Sequence, residues 1–386
     1  MYPLADFGYH RTMTADNLPL FHFAESYRDS DQYYLTKFLC PDPFAVLELS
    51  SRKRIMAVSD MEAGRADKET KGIEIVPFSR YRRKRRTVQG LIADFLRDHG
   101  VENVRVLPSF PVGLARSLEA EGIALEVDQD ALKNRRRKKT KQEIRAIESA
   151  QRQTEQAMEM ARALLAGCQV SGGVLQWEGR PLTAEKLRSL IEVFFLERGF
   201  DCVDSIVAPG RGGADPHWRG TGPIRVGVPI VIDLFPRDRS SRYHSDMSRT
   251  FVVGRASGPV REMHRAVMEA QDAAMDRLRP GVRLAEVHRA VCDVFVKRGF
   301  GVPVVGKGLP ARGFLHGTGH GLGLDIHEAP TVSEGEDVLG PGDVITVEPG
   351  LYDRRVGGMR IEDLVAVAPD GDVVNLTRFD RELEIF

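Results

Sequence analysis

The sequence is poor in cysteine and in aromatic residues, and it has no long uninterrupted hydrophobic segment. Among its 386 residues are four cysteines, and aromatic residues make up 7%. Cys40, Cys168, Cys202 and Cys292 form no C-x-x-C pair, which argues against a disulfide framework or a thiolate zinc site and favours the reducing cytoplasm. No run of 18 apolar residues suggests a transmembrane helix, and the first residues lack the pattern of a secretory signal.

Net charge is also absent. The 55 Lys and Arg residues are balanced by 55 Asp and Glu residues, so no overall field attracts nucleic acid or an anionic membrane. Two local basic runs, at residues 82–86 and 135–139, could form a nucleic-acid patch, but no aromatic residues are interleaved for base stacking. We expect each run to be a solvated face or a subunit contact, and we expect neither nucleic acid nor membrane as a partner.

The length and the hydrophobic content of 42% fit about two globular domains. Alternating short apolar runs over residues 31–127 predict a small α/β domain, with a hairpin formed by residues 45–49 and 54–58. The sequence Thr140-Lys-Gln-Glu143 has the form of a capping box and predicts a long amphipathic helix ending near Ala166. The predicted domains are therefore residues 1–137 and 138–386.

The second domain contains two similar stretches. Asp233 lies six residues after Gly227 at the end of one apolar run, and Glu348 lies six residues after Gly342 at the end of another. A turn-rich segment after each leads to a second acid, Asp246 or Glu362, at the start of another apolar strand. The repeat predicts duplicated halves in which each strand pair contributes two carboxylates.

These four acids, together with His320, form a candidate metal-binding set. A lone acid at a strand end is usually explained by a turn N–H or an ion pair, but several carboxylates beside buried strands are costly without a cation. Mixed carboxylate and imidazole ligands suit Mn, Fe, Co or Zn better than Ca or Mg. The set therefore predicts a dinuclear site that activates water for hydrolysis.

A glycine-rich segment between His316 and His327 contains His320. Its glycines, which alternate with other residues from 317 to 323, argue against a helical H-x-x-x-H zinc pair. They predict an extended segment in close contact with other backbone, and alternate residues of such a segment share a face. We therefore expect His316 and His320 to point in the same direction.

Five motifs together resemble the pita-bread-fold metallopeptidases, specifically the proline-specific branch that contains prolidase and aminopeptidase P. They are HGTGHGLGLDIHE from His316, IVID ending at Asp233, SDMSRTF from Ser245, TVEPGLY from Thr346 and MRIED from Met359. The resemblance covers about residues 138–380, and the preceding region is similar to the creatinase-type N-terminal domain of that branch. It implies an α+β fold in which a creatinase-like N-terminal α/β domain precedes a pita-bread catalytic domain with duplicated αβ halves.

The resemblance also implies roles for individual residues and two divalent metal ions, Mn, Co or Zn. Asp233 would chelate one ion, Asp246 and Glu362 would bridge both, and His320 and Glu348 would complete the second. Glu348 is further implied as the proton shuttle. Substrate binding and stabilisation of the tetrahedral intermediate are implied for His217, His316 and His327, and Arg360 matches an active-site arginine. From spacing alone, Arg360 and Glu362 share one face of a strand.

The loop between Asp233 and Asp246 is two residues longer than we expect for the family. It carries Arg237, Arg239 and Arg242. These arginines could bind the free carboxylate of a dipeptide, although exposed loop arginines are more often only solvated.

The sequence therefore predicts a cytoplasmic metallopeptidase that cleaves the Xaa-Pro bond at the N-terminus of dipeptides or short peptides, with dipeptidase action slightly favoured. An Xaa-Pro aminopeptidase acting on longer peptides is the main alternative. A non-catalytic binding protein on the same fold and a metal-independent, creatinase-like amidinohydrolase are alternatives of other classes, which should lack ligands that this chain retains. A methionine aminopeptidase is disfavoured by the N-terminal domain. We expect a homodimer or higher homo-oligomer.

Overall fold

The computed structural model describes residues 18–50, 53–81, 87–304 and 308–386. The chain divides into two compact units, Met1–Asn134 and Arg135–Phe386. This division falls inside a short helix, Lys133–Arg137, and the domain boundary at residue 138 stays a proposal. The basic run at 82–86 lies outside the described residues. None of the described helices has both the length and the apolar character needed to cross a bilayer.

The first unit is built on a six-stranded mixed sheet with the strand order β4-β3-β2-β1-β5-β6. Its elements, in chain order, are β1 (Leu20–Ala24), α1 (Ser30–Thr36), β2 (Phe44–Ser50), β3 (Lys53–Val58), α2 (Asp60–Glu69), β4 (Ile73–Pro77), α3 (Val88–Asp98), β5 (Asn103–Val106), α4 (Val112–Ala120) and β6 (Ala124–Val127). The predicted hairpin is confirmed, because β2 and β3 pair antiparallel with Ala45 opposite Ala57. Helix α3 begins at its Thr87 cap and buries Phe95 and Leu96 against this sheet.

The second unit begins with the predicted long helix. The helix α5 (Lys133–Arg137) crosses the division, and α6 (Lys141–Ala166) follows it. Both reciprocal bonds of the capping box between Thr140 and Glu143 are present, and the helix ends at Ala166 as the sequence predicts.

The two larger sheets of this unit, of four and five strands, are each covered by a helix pair. The first half contains β7 (Gln169–Ser171), β8 (Val174–Trp177), β9 (Arg180–Pro181), α7 (Ala184–Glu197), β10 (Phe200–Asp201), β11 (Ile206–Pro209), β12 (Ile230–Leu234), β13 (Arg237–Asp238) and β14 (Met247–Val253). The second half contains α8 (Gly258–Met275), α9 (Leu284–Lys297), β15 (Arg312–Gly313), β16 (Gly319–Gly321), β17 (Glu328–Val332), β18 (Val344–Val347), β19 (Gly350–Asp353), β20 (Gly357–Arg360), β21 (Asp363–Val367) and β22 (Val373–Asn375). The last strand, β23 (Glu384–Ile385), returns to pair with β14.

Strand alternation decides which side chains of these sheets face the helices and which face away. In β12, Ile232 and Leu234 pack in one core with α6 and α7, so the intervening Asp233 points to the opposite face. In β18, Ile345 and Val347 pack with α8 and α9, which directs Thr346 away from that core. The acids therefore lie on the sheet faces that the helices leave uncovered.

One local prediction is wrong. Arg360 and Glu362 are not in the same strand, because β20 ends at Arg360 and β21 begins only at Asp363. The backbone N–H of Glu362 instead donates to the carbonyl of Ser248, at 3.0 Å, across to the first half.

Candidate active site

A cavity of about 560 Å³ opens on the uncovered faces of the two sheets. The five predicted ligands all line it, as do the four other residues singled out from the sequence. They are Asp233, Asp246, His320, Glu348, Glu362, His217, His316, His327 and Arg360.

Three of the predicted ligands form a compact donor group. One ligand atom from each of Asp246, His320 and Glu362 lies within 4.8 Å of the others. His320 Nε2 is also 3.7 Å from Asp246 Oδ2 and 3.4 Å from Glu348 Oε1. Its Nδ1 lies 3.1 Å from the Gly321 carbonyl oxygen, which favours the tautomer with a proton on Nδ1 and a lone pair on Nε2. This is the arrangement of a metal-binding histidine.

The charges of this group also fit a divalent cation. Burial raises the pKa of Asp246 and Glu362 well above the ordinary range, and the neighbouring carboxylates raise each further. Burial raises the pKa of Glu348 to about 7, against the opposing effect of Arg360. Crowded, buried carboxylates are stabilised by a cation placed between them. The residues present therefore fit the metal ions that the sequence predicts.

Asp233 is held differently, by two polar side chains. Its Oδ2 accepts from Arg360 Nη2 at 2.7 Å, and its Oδ1 accepts from Ser248 Oγ at 2.8 Å. Ser248 Oγ lies 2.9 Å from Glu362 Oε2 as well, and it accepts from Arg360 Nε at 2.9 Å. A hydroxyl has one proton to donate, so Ser248 serves Asp233 or Glu362, one at a time. Ser248 was not predicted from the sequence; it lies in β14, which begins directly after Asp246.

His316 is tied into a chain of hydrogen bonds with Tyr352 and Arg360. Arg360 Nη1 donates to Tyr352 Oη at 2.8 Å, and the phenol is 2.8 Å from His316 Nε2. His316 Nδ1 lies 2.7 Å from the Gly317 carbonyl oxygen. The phenol proton therefore goes to Nε2 and the Nδ1 proton to Gly317, and burial lowers the pKa of His316 to about 3. In this arrangement His316 is neutral, and both of its ring nitrogens make hydrogen bonds within the protein. Tyr352, at the end of the TVEPGLY motif, was also missed.

The other two histidines are less enclosed. The ring of His327 meets that of His320 edge to face, with centroids 4.3 Å apart, and burial lowers the pKa of His327. His217 is exposed, and its backbone N–H donates to Asp215 Oδ1 at 3.1 Å. The expected shared direction of His316 and His320 agrees with their positions around Glu348, whose Oε2 is 4.0 Å from His316 Nδ1.

The glycine-rich segment lies close to other backbone, as its composition predicts. Strand β16 pairs with β17 on one side and with β18 on the other. A Cβ added to Gly319 would collide with the Thr346 carbonyl, so no larger residue fits beside His320.

The three arginines of the loop between Asp233 and Asp246 are not among the described residues that line the cavity, although Phe235 of the same loop is. Arg237 Nη2 and Arg239 Nε bind Asp201 at 3.2 and 2.7 Å. The considered role in binding a substrate carboxylate therefore has no support in the geometry.

The expectation of a solvated face is wrong for Arg137 and Lys139 of the second basic run, whereas Lys138 is exposed and the expected subunit contact stays a proposal. Arg137 binds Asp343 at 2.7 Å, and Lys139 is buried and binds Glu328 at 3.0 Å. The side chains of Arg137 and Lys139 are thus internal to the second unit and form neither a solvated face nor a nucleic-acid patch. All four cysteines are free thiols in the structure.

Comparison with known proteins identifies the family. Residues 145–369 match the sequence profile of metallopeptidase family M24. The chain belongs to this family. The M24 chain is 35% identical over 258 residues to a protein named Xaa-Pro dipeptidase from Pyrococcus furiosus, covering 66% of this chain and 67% of the relative.

Solved structures show the same fold for the M24 chain. A structure described as Xaa-Pro dipeptidase from Bacillus anthracis matches with a TM-score of 0.81 at 25% identity, covering 96% of each chain. One described as X-Pro aminopeptidase from Thermotoga maritima matches with a TM-score of 0.80 at 23% identity, covering 96% of this chain and 98% of that one. The α+β fold with a pita-bread catalytic domain is confirmed, and the M24 chain is a metallopeptidase.

Proposed function

We propose that this chain is a dinuclear-metal-dependent peptidase that hydrolyses the Xaa-Pro bond at the N-terminus of its substrate, with dipeptides preferred. The observation that carries the proposal is the convergence of four carboxylates and the Nε2 lone pair of His320 on one cavity. The name of the Pyrococcus furiosus relative, Xaa-Pro dipeptidase, supports the substrate class.

The proposed ligands divide between two ions. Asp233 would hold one ion, His320 and Glu348 would hold the other, and Asp246 and Glu362 would be shared by both. When bound, divalent ions such as Mn, Co or Zn polarise the scissile carbonyl and lower the pKa of a water molecule enough for attack near neutral pH.

The chain's own residues then guide protons and orient the substrate. Glu348 follows directly after β18 and reaches into the cavity, where it takes the proton of the attacking water and delivers it to the prolyl nitrogen. A prolyl nitrogen has no hydrogen in the peptide bond, so it must gain this proton to leave as an amine. His217 and His327, which also line the cavity, donate hydrogen bonds from their ring N–H groups to the oxygen of the scissile carbonyl as negative charge develops there.

Recognition of a dipeptide requires a cation for its free carboxylate. Of the arginines that the structure describes, Arg219 and Arg360 line the cavity. Arg360 is buried and engaged by Asp233, Ser248 and Tyr352. Arg219 is 46% exposed; its Nη2 donates to the Val203 carbonyl oxygen at 3.0 Å, and its guanidinium lies 3.3 Å from Asp204 and 3.5 Å from Glu192. A guanidinium on a cavity wall suits a carboxylate, so we assign substrate-carboxylate binding to Arg219.

The experiment that tests the proposal compares an Xaa-Pro dipeptide with an Xaa-Pro tripeptide, using metal-free protein to which Mn, Co or Zn is added back. We expect metal-dependent release of the N-terminal residue, faster from the dipeptide. Comparable or faster cleavage of the tripeptide would instead support the aminopeptidase alternative. Metal binding with neither activity would contradict the proposed specificity. A cytoplasmic location and a homodimer or higher homo-oligomer also stay proposals, and sedimentation analysis tests the second.

A further inference from the structure

The buried ion pair between Lys139 and Glu328 is the centre of a larger charged cluster. The Lys139 side chain is 1% exposed and its Nζ lies 3.0 Å from Glu328 Oε2, while the Glu328 side chain is 7% exposed. The other carboxylate oxygen of Glu328 accepts from Arg136 Nη2. Burial alone would raise the pKa of Glu328, but Lys139 and Arg136 hold it below its usual range. Glu328 is thus an ionised carboxylate with two cations.

Glu328 also determines the path of the loop that precedes it. Its Oε1 accepts from the backbone N–H of Asp325 at 3.0 Å, and Arg136 binds the side chain of Asp325 at 2.6 Å. The carboxylate lies so close over Gly323 that an added Cβ would be 2.7 Å from Glu328 Oε2. The loop of residues 322–327 is therefore folded under the Glu328 side chain.

The basic segment at 135–139 is also bound to the residues just before β18, the strand that precedes Glu348. The Lys139 backbone N–H donates to the Gly342 carbonyl at 2.9 Å, and Gly342 has φ +86° with no room for a Cβ next to Lys139. Arg137 makes two bonds to Asp343, at 2.7 and 2.9 Å, immediately before β18. These bonds hold the backbone of Lys139 in place and so determine the position from which its side chain reaches Glu328.

The loop under Glu328 connects two cavity residues. His320 lies in β16 and His327 directly precedes Glu328, with a register shift between His320 and Gly321. A buried ion pair holds its two side chains in a defined position, because burying either charge without the other costs free energy.

We propose that Lys139, with Arg136, is a positioning residue of the active site: by holding Glu328 it fixes the 322–327 loop and thereby the place of His327 in the cavity. This inference rests on the proposed function for its effect on catalysis, but the structural part stands without it. The proposal also assigns the basic segment at 135–139 a role inside the chain, in place of a solvated surface or a contact with a partner molecule.

The test uses Lys139→Met, with Lys141→Met as the matched control. Lys141 is 63% exposed and pairs at 3.1 Å with Asp370, which is 56% exposed, so the control removes an equivalent charge outside the cluster. Amide hydrogen exchange needs no substrate, and it should be faster for residues 322–327 in Lys139→Met and unchanged in Lys141→Met. Lys139→Arg, which keeps the charge, should restore most of the protection.

Catalysis is measured in the same variants and in a His327→Ala background. Lys139→Met should lower kcat by about 10-fold with little change in KM, because the lost interaction acts in the transition state. If the cluster acts through His327, the same substitution has less than about a twofold further effect in His327→Ala. If Lys139→Met does not fold, the double variant Lys139→Met/Glu328→Gln, which removes both charges, replaces it.

Unchanged exchange in a folded Lys139→Met protein would overturn the proposal, as would kcat losses that multiply in the His327→Ala background. Absence of Xaa-Pro cleavage by the unmodified protein would overturn the proposed function instead. The hydrogen-exchange comparison would still decide whether the cluster holds the loop.

Discussion

The two halves of the catalytic unit have similar strand pairs, but they hold their acids in different ways. In the first half, Asp233 lies opposite Ser248, and Asp246 lies two residues before that position. In the second half, Val347 lies opposite Asp363, which brings Glu348 and Glu362 across from each other just beyond the paired residues. The sequence repeat therefore produces equivalent strands without producing equivalent sites.

The difference arises because each half stabilises the acids of the other. Arg360, from the second half, binds Asp233 in the first, and Ser248, from the first half, binds Glu362 in the second. The buried side chain of Arg249, in β14 of the first half, adds a third link. It donates to the Asp363 side chain at 2.7 Å and to the Glu362 carbonyl oxygen at 2.6 Å, both in the second half. The site is thus one interlocked structure instead of two adjoining half-sites.

The largest effect is expected from removal of an acid that serves both halves. Asp246→Asn should lower kcat/KM by at least about 1000-fold, because the bound ions supply several kcal/mol of transition-state stabilisation. Steady-state assays with saturating metal measure the loss. Activity within about tenfold of the unmodified enzyme would show that Asp246 is not a shared ligand.

Breaking the link from the second half to the first should destabilise the metal-free protein. Arg360→Met leaves Asp233 partly buried without its cation and should lower the free energy of unfolding by about 3 kcal/mol. Urea unfolding measures this value. In the double variant with Asp233→Asn the loss should be clearly smaller than in Arg360→Met alone, and an equal loss would mean that Arg360 does not act through Asp233.

The link from the first half to the second is weaker, because it is a single hydroxyl. Ser248→Ala should weaken metal binding about 10-fold, since Glu362 and Asp233 lose a partner that orients them. Calorimetric titration of metal-free protein measures the affinity, with Ser171→Ala, an exposed serine in β7, as the control. Equal metal affinities in the two variants would show that Ser248 does not help to position Asp233 and Glu362.

A further effect, of similar size, concerns the proposed binding of the substrate carboxylate by Arg219 in the first half. Arg219→Gln should raise KM for an Xaa-Pro dipeptide by about 10-fold, because a charge-assisted hydrogen bond to the carboxylate is lost. The corresponding dipeptide amide lacks that charge, so its KM should not change. Equal changes for both substrates would assign Arg219 to another role.

Local features of the fold could be read from the sequence, because they depend on neighbouring residues. The capping box at Thr140 fixed the start of α6, and alternation around Asp233 and Glu348 indicated strands beside a buried core. The proposed ligand set was predicted from the spacing of acids and from the resemblance to a known family.

Contacts between distant segments could not be predicted in this way. Lys139 and Glu328 are 189 positions apart, and nothing near Lys139 distinguishes it from a solvated basic run. Ser248 and Tyr352 were missed for the same reason, since their functions depend on Arg360 arriving from another strand. The arginine loop suggested a substrate contact, but its partner, Asp201, becomes evident only when β10 and β13 pair.

The most direct test of the central claim is a titration of the metal-free protein with Mn²⁺ in which heat and cleavage of an Xaa-Pro dipeptide are recorded together. We predict two ions bound per chain and activity that appears as they bind. Full activity after verified removal of metal, or saturation without any ion bound in the cavity, would contradict the account.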